Sequence, residues 1–226
     1  MKTTILLKTA FLLYRKDFKN LFLLALIIGI ISFLVDQFFP LINIGFSLSW
    51  LGSIISLLLT AIFSISILIR AHQLVNEENL DKNLLQSIRS TRHLYSNYIL
   101  TYLIVVVIIA AGTIFFIIPG IVFAIWYFAA LYVAINEQCK PFIALERSKR
   151  VVGREFFPVS FKILGTGVLV FIPIIIIAYP VYYLFDFLSL TNYSENFIVF
   201  ISSLVIIPIN ALITGLIYEE LKKSTE

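Results

Sequence analysis

Few residues of this chain could carry out acid–base, nucleophilic or metal chemistry. The chain has two histidines, His72 and His93, and one cysteine, Cys139, so a cluster of cysteine and histidine metal ligands cannot form. We therefore expect no catalytic residue, no metal and no cofactor. Both histidines border the same acidic segment, and the sequence favours solvated polar side chains there. A lipid-modifying enzyme would instead require a pocket that joins one histidine to residues 137–155.

The composition indicates a membrane protein. Hydrophobic residues make up 60% of the chain and charged residues 13%, with a mean hydropathy of +1.00, whereas soluble domains average about 25% charged residues. A hydrocarbon core of about 30 Å needs roughly 20 apolar helical residues. The candidate uncharged spans are residues 21–39, 46–69, 94–118, 120–135, 163–185 and 197–218. The sequence thus predicts an all-α fold in which residues 1–226 form one polytopic six-helix transmembrane bundle.

The third and fourth spans come from one uncharged run. Residues 94–135 would form a helix of about 63 Å, which is about twice the thickness of the hydrocarbon core. The chain must therefore reverse within this run. Proline cannot continue a helix and glycine tolerates the dihedral angles of a reversal, so the segment 116–120, which ends in Pro119 and Gly120, is predicted to form the turn.

The positive charges determine the predicted orientation. All 17 Lys and Arg residues fall on one side of the six-span layout, and the three segments on the other side contain none. Lys and Arg near short loops stay in the cytoplasm, so we expect both termini there and the protein in the bacterial inner (plasma) membrane. The basic residues adjoin apolar spans, so their predicted partner is anionic phospholipid and not nucleic acid. The sequence indicates no particular protein partner.

Basic segments before the first, third and fifth spans are typical of amphipathic helices on the cytoplasmic surface. They cover residues 6–18, 80–94 and 141–157. In the last of these, one half of the helical wheel contains Phe142, Ala144, Leu145, Ser148, Val151, Val152 and Phe156. The candidate contacts with lipid headgroups are Arg147, Lys149, Arg150, Arg154 and Lys162. The alternative is that these charges only enforce the topology and anchor the bundle.

Two features inside the spans leave helix packing and transport as alternatives. A stripe of small residues recurs at intervals of three and four at Ser49, Gly52, Ser53, Ser56, Thr60 and Ser64. Small residues let helices approach closely, so packing is favoured for this stripe over a polar path. Pro173, Pro180 and Pro208 should bend the last two spans, as in transporters with broken helices. Asn210 is expected to cap a carbonyl freed by Pro208 rather than to bind a substrate.

The segment 117–164 carries a recognisable pattern. An apolar span lies between a Pro-Gly-Ile turn and an acidic residue, and an Ala-x-x-x-Ser step, basic residues and a further span follow. The residues assigned to this motif and to packing are Pro119, Gly120, Glu137, Ala144, Ser148 and Gly153. The pattern resembles the YciC family of uncharacterised bacterial inner-membrane proteins and, more distantly, the membrane domain of some glycerophosphodiester phosphodiesterases. The resemblance implies a six-helix inner-membrane protein with no established catalytic residue.

Two side-chain contacts are expected in this segment. Ser148 should lie on the buried face of the surface helix and bond to a carbonyl one turn earlier. Glu137 and Arg147 should pair across the start of that helix, which as an exposed pair contributes about 0 to 1 kcal/mol. Both contacts would be structural.

The sequence leaves two functions open. The first is a non-enzymatic scaffold or accessory protein in envelope or lipid homeostasis, which the basic surface helices and the lack of a catalytic constellation favour. The alternative is a carrier or channel for a small or amphipathic solute, which the bent last two spans favour. A polar cavity in the interior of the bundle would distinguish the two, because a scaffold needs none.

Overall fold

The computed structural model describes residues 2–38, 49–78, 88, 91–187 and 191–224. The described residues are almost entirely helical and include no strand, so the predicted all-α fold is confirmed. The helices are α1 (Thr3–Lys16), α2 (Phe18–Phe38), α3 (Ser49–Val75), α4 (Tyr95–Phe115), α5 (Ile117–Trp126), α6 (Ala130–Asn136), α7 (Pro141–Arg154), α8 (Phe156–Phe187) and α9 (Thr191–Lys223), with a 3₁₀ turn at Arg92–Leu94. The surface helix predicted for residues 80–94 lies largely outside the described residues.

Several helices are suited to a lipid environment. Within the part of the chain that the structure describes, five segments are long and apolar enough to cross a membrane, and they are Phe18–Val35, Ile54–Val75, Arg92–Phe115, Ile117–Asn136 and Phe200–Lys223. A sixth is counted if α7 and the Phe156–Ile172 part of α8, which meet at an angle of 100°, form one span. Large apolar side chains cover the outside of the bundle, and Ile114 is 82% exposed. Such a surface is unfavourable in water. The architecture therefore fits a multi-pass membrane protein.

Four of the described helices extend further at the basic end than hydropathy predicted, and the first is α2, which begins at Phe18 instead of residue 21. α3 continues to Val75 instead of residue 69, α8 begins at Phe156 instead of residue 163, and α9 continues to Lys223 instead of residue 218. The predictions ended each span at its first charged residue. In the structure several charges of these extensions have partners inside the bundle, so the helices continue past them.

The reversal between α4 and α5 lies at Phe116, the first residue of the predicted turn segment 116–120, where the backbone is extended. Pro119 is in the first turn of α5, where a missing N–H costs little because the first N–H groups of a helix have no intrahelical acceptor. Gly120 is helical, so the prediction that it supplies the dihedral angles of a turn was wrong. It instead allows the two helices to approach, because a Cβ at Gly120 would lie 2.2 Å from Thr113 Oγ1.

The fourth predicted span is a broken helix. α5 ends at Trp126, a turn occupies residues 127–129, and α6 follows. The turn is closed by backbone hydrogen bonds from Tyr127 N to Phe123 O and from Ala130 N to Tyr127 O, each 3.0 Å long. This break separates the α4–α5 hairpin from α6, which packs against α3, α4 and α7.

Helix α7 is supported only along its middle turns. Pro141 occupies the first helical position, as predicted, and the buried residues are Ala144, Leu145, Ser148, Val151 and Val152. Phe142, on the predicted apolar half, is 74% exposed. Gly153, assigned to the motif and to packing, is exposed with open space where a Cβ would stand, so it does not pack within the described bundle. Both lie near the ends of α7, beyond the surface that α4 and α6 provide. Its location at a membrane surface stays a prediction.

Pro208 interrupts the hydrogen bonding of α9. Because proline has no N–H, the carbonyl of Leu204 loses its intrahelical donor. The hydroxyl of Tyr14, on α1, donates to this carbonyl at 3.4 Å. The prediction that Asn210 caps it was therefore wrong. A donor from a different helix satisfies the carbonyl because α1 packs against α9.

We expect Gly120→Ala to destabilise the protein by about 1 to 3 kcal/mol, because the added methyl group overpacks the contact with Thr113. The matched control is Gly153→Ala, which adds the same group to an open position and should be neutral or stabilise α7 by about 0.5 to 1 kcal/mol. Thermal unfolding of the detergent-solubilised protein measures both. Equal effects of the two substitutions would contradict the assigned role of Gly120.

Candidate functional site

A buried ion pair joins α3 to the junction of α1 and α2. Arg70 Nε lies 2.6 Å from Asp17 Oδ2, and the two side chains are 1% and 8% exposed. The side-chain amide of Asn20 donates to the other carboxylate oxygen at 2.7 Å. Removing a charge from water costs of order several kcal/mol unless it is paired and hydrogen-bonded. Asp17 separates α1 from α2, so the pair fixes the point at which the chain changes direction.

A second polar group, here called the floor cluster, consists of His72 on α3, Tyr132 on α6 and Glu219 on α9. The Tyr132 hydroxyl oxygen lies 2.8 Å from His72 Nδ1 and 3.4 Å from Glu219 Oε1. Gly215 makes room for the tyrosine ring, because a Cβ there would lie 2.9 Å from Tyr132 Cε2. The expectation of a solvated His72 was therefore wrong, since its ring is half-buried and hydrogen-bonded. His93 is exposed.

Glu137 joins α6 to α7 and α9. Its carboxylate accepts hydrogen bonds from the Tyr218 hydroxyl at 2.7 Å, from Lys222 Nζ at 3.2 Å and from Arg147 Nη1. The predicted pair of Glu137 and Arg147 is thus present. Burial raises the pKa of this carboxyl group, but the three donors outweigh it and hold the pKa below its ordinary value.

Tyr132 also lines a cavity of about 500 Å³, here called the cleft, between α2, α3, α4, α6 and α9. Its polar lining comprises Thr60, Ser64, Tyr98, Tyr102, Tyr132, Asn210 and Thr214, and the remainder is apolar. The volume falls in the range of about 300 to 1,000 Å³ that is typical of small-molecule sites. Among the described residues that line the cleft, none carries a charge.

The cleft offers both donors and acceptors of hydrogen bonds. The hydroxyl groups of Thr60, Ser64 and Thr214 donate to carbonyls four residues earlier, at 2.7, 3.1 and 2.8 Å. Their oxygens can still accept. Asn210 is exposed, and within the described chain no residue bonds its side-chain amide. An uncharged molecule with hydroxyl or amide groups would match this lining.

The small residues of the α3 stripe have two different surroundings. Some contact a neighbouring helix, and others line the cleft. The Ser56 hydroxyl lies 3.2 Å from that of Ser32 on α2, which fits the packing prediction. Thr60 and Ser64 face the cleft, which fits the alternative of a polar path. The side chains of Ser49 and Ser53 lie outside the described residues.

Ala144 and Ser148, the alanine and the serine of the motif, contribute to packing between helices. Ala144 is buried. The Ser148 hydroxyl donates to the carbonyl of Trp126, at the end of α5, at 2.7 Å. The predicted burial of Ser148 is confirmed, but the predicted acceptor in its own helix was wrong. The last carbonyls of a helix have no intrahelical donor, so Ser148 satisfies one of them.

The five cations predicted to contact lipid headgroups have different surroundings. Lys162 is 14% exposed and its Nζ lies 2.9 Å from Glu220 Oε2, so it already has a partner within the bundle. Arg147 is bonded to Glu137, and Arg150 to Glu146 at 2.6 Å. Lys149 Nζ lies 4.6 Å from the ring centroid of Trp126, and Arg154 is exposed. Lys149 and Arg154 therefore remain the best candidates.

Sequence reasoning missed the polar contacts that lie far apart in the chain. Arg70 was counted as a topology signal, and Tyr132 and Glu219 were not singled out. A usable signal existed, because Arg70, His72 and Glu219 each lie where an apolar helix reaches the basic end. Charges on neighbouring helices at one level are expected to pair.

The fold fits a helical, multi-pass membrane protein, and the cleft is a partly open cavity with polar and apolar lining between its helices. No protein-family model matches the chain, and no curated protein or solved structure gives a significant match. The resemblance to the YciC family therefore stays a prediction, as do the bacterial inner membrane and the cytoplasmic termini.

We expect Arg70→Met to lower the free energy of unfolding by about 3 to 5 kcal/mol, because it leaves the Asp17 carboxylate buried without its cation. The double variant Asp17→Asn/Arg70→Met should recover a large part of this loss, since no buried charge remains. A double-mutant cycle measured by denaturant unfolding in mixed micelles tests the pair. Additive effects of the two substitutions would show that the residues are not coupled.

The stabilisation from Glu137 should depend on pH. Its folded pKa lies below the unfolded value, so its contribution is complete above the unfolded pKa and is lost as the pH falls through the folded pKa. Glu137→Gln should therefore melt at a lower temperature than the native protein at neutral pH and at the same temperature in acid. Glu146→Gln, which removes an exposed pair, is the control and should change little at either pH.

Proposed function

We propose that this protein is a non-enzymatic carrier that binds an uncharged small or amphipathic solute in the cleft. The observation that supports it is the partly open cavity between five helices, whose lining includes seven polar side chains. The threonine and serine hydroxyl groups of this lining already have acceptors, but their oxygens can accept further hydrogen bonds. The side-chain amide of Asn210 has no partner among the described residues. A scaffold needs no such cavity, whereas a bound solute would use these groups. The cleft therefore favours the carrier over the scaffold.

The lining indicates the chemistry of the solute. A charged ligand would need an ion of opposite charge, and the described lining supplies none. A second, apolar cavity of about 180 Å³ between α8 and α9 shares Phe128, Asn210 and Thr214 with the cleft. The hydrogen-bonding head of an amphipathic solute would occupy the cleft, and its apolar part would extend past Phe128. We therefore favour a neutral head of the hydroxyl or amide type.

The membrane location and the orientation of the protein belong to the same proposal. The distribution of Lys and Arg supports a bacterial inner membrane with both termini in the cytoplasm. Lys149 and Arg154 would contact anionic phospholipid at that surface, near a surface cavity of about 230 Å³ beside Trp126. These contacts would anchor α7 and are separate from the solute in the cleft.

Photolabelling in nanodiscs tests this function. The probe is a photoreactive alkyl glucoside, which combines an uncharged sugar head with one apolar chain. We expect Asn210→Leu to reduce labelling of the cleft helices by about tenfold, since it removes the open amide. Asn97→Leu, the same substitution on α4 outside the residues that line the cleft, should leave labelling unchanged.

Two further results decide between the functions. Proteoliposomes with the native protein should move the glucoside across the bilayer faster than empty liposomes, and Asn210→Leu should abolish the difference. Labelling that is equal in all three proteins and confined to lipid-facing residues would exclude the cleft as a solute site.

A further inference from the structure

The floor cluster connects the cleft to the half-buried imidazole of His72. Tyr132 lines the cleft, and its hydroxyl is bonded to His72. On the side away from Tyr132, His72 Nε2 lies 3.9 Å from Glu78 Oε1, whose side chain is exposed. We infer that occupancy of the cleft is coupled to protonation of His72 and that Tyr132 transmits the coupling. This inference rests on the proposed function and adds that protonation controls binding of the solute at the same site.

The coupling follows from the single hydrogen of the Tyr132 hydroxyl. When the imidazole is neutral with Nδ1 unprotonated, this hydrogen is donated to Nδ1 over 2.8 Å. The tyrosine oxygen is then free to accept a hydrogen bond from a hydroxyl group in the cleft. Asn76, directly after the end of α3, has its side-chain nitrogen 3.1 Å from Nδ1 and 3.2 Å from Nε2, and it helps to orient the ring.

Protonation reverses the direction of this hydrogen bond. One proton from solvent is added to the ring, so that both ring nitrogens carry hydrogen. Nδ1 then donates to the Tyr132 oxygen, and the tyrosine hydrogen turns to Glu219 Oε1 at 3.4 Å. The donor from His72 now occupies an acceptor position that the solute would use. The protonated state should therefore bind the solute more weakly.

The charges around His72 are compatible with such a change. Glu78 faces it from the segment after α3, and Glu219 faces it from α9 at 3.5 Å from Nδ1. From α6 the facing group is Tyr132, while Tyr218 and Lys222 of α9 act on the cluster through Tyr132 and Glu219. Two carboxylates can therefore balance the positive charge of the imidazolium.

Linkage makes the effect reciprocal. If protonation weakens binding of the solute, then binding of the solute releases a proton from His72. A carrier with this property exchanges solute for protons, and a proton gradient would drive the solute. The protein would thus be a proton-coupled carrier.

Binding of the alkyl glucoside probe at about pH 5.5 and about pH 7.5 tests the coupling, since histidine changes charge in this range. The native protein and His93→Gln, which alters the exposed histidine, should bind about threefold to tenfold more tightly at the higher pH, as expected for one hydrogen bond. His72→Gln and Tyr132→Phe should show less than about a twofold difference. Tyr132→Phe keeps the ring against Gly215, so it decides the question even if His72→Gln does not fold.

A second measurement separates this inference from the proposed function. In protein with isotope-labelled histidine, saturating probe should shift the His72 titration towards lower pH in the native protein and not in Tyr132→Phe. Equal binding at both pH values in the native protein, or a pH dependence that survives in Tyr132→Phe, would overturn the coupling while leaving the solute site. Failure to bind the probe at either pH would overturn the solute site itself.

Discussion

The ion pair between Asp17 and Arg70 is the contact on which the arrangement of the other helices depends. It joins residues 53 positions apart in the sequence, and both charges are withdrawn from solvent. Either charge alone would be strongly unfavourable there, so the pair forms only when α3 and the start of α2 are held together. Arg70 lies in the last turns of α3, two residues before His72. The pair therefore also fixes the position and orientation in which His72 contacts Tyr132 and Glu219.

Directional polar contacts at this end explain how an interior gap is tolerated. Lys162 and Glu220 join α8 to α9, and Glu137 joins α6 to α7 and α9. In a lipid environment apolar contacts between helices give no large advantage over contacts with lipid, so hydrogen bonds and close packing of small residues decide which helices associate. α4 is attached through α3, α5, α6 and α7. Helices joined by these contacts can keep their relative positions even though a space remains beside α4. This space is the cleft.

The sequence predicted those features that depend on local patterns. Uncharged runs predicted the helices. The length of the run 94–135 required a reversal, and the three-and-four spacing of apolar residues predicted the buried face of α7. The reversal lies at the first residue of the predicted segment 116–120, and Pro119 and Gly120 are helical because proline is acceptable in the first turn of a helix as well as in a turn. The positions of His72 and Glu219 at the basic ends of their helices were a usable signal, but the contact with Tyr132 could not be derived, because His72 and Tyr132 are 60 positions apart and no periodic pattern connects them. The predicted spans also ended at charged residues, whereas α3 continues through Arg70, which is in contact with Asp17.

The separation between an uncharged cleft and a charged floor has a physical reason. A charge inside the cleft would bear a desolvation cost whenever the cleft is without an ion of opposite sign, whereas hydroxyl and amide groups bear a smaller one. Titratable groups are therefore best placed where other charges and solvent compensate them, as Glu78 and Glu219 do for His72. Of the described residues, Tyr132 alone belongs to both the cleft and the floor cluster. Its hydroxyl group is neutral, so it can remain in the cleft, and it reverses its hydrogen bond without moving its ring. A tyrosine at this position thus connects the two regions without placing a charge in the cleft.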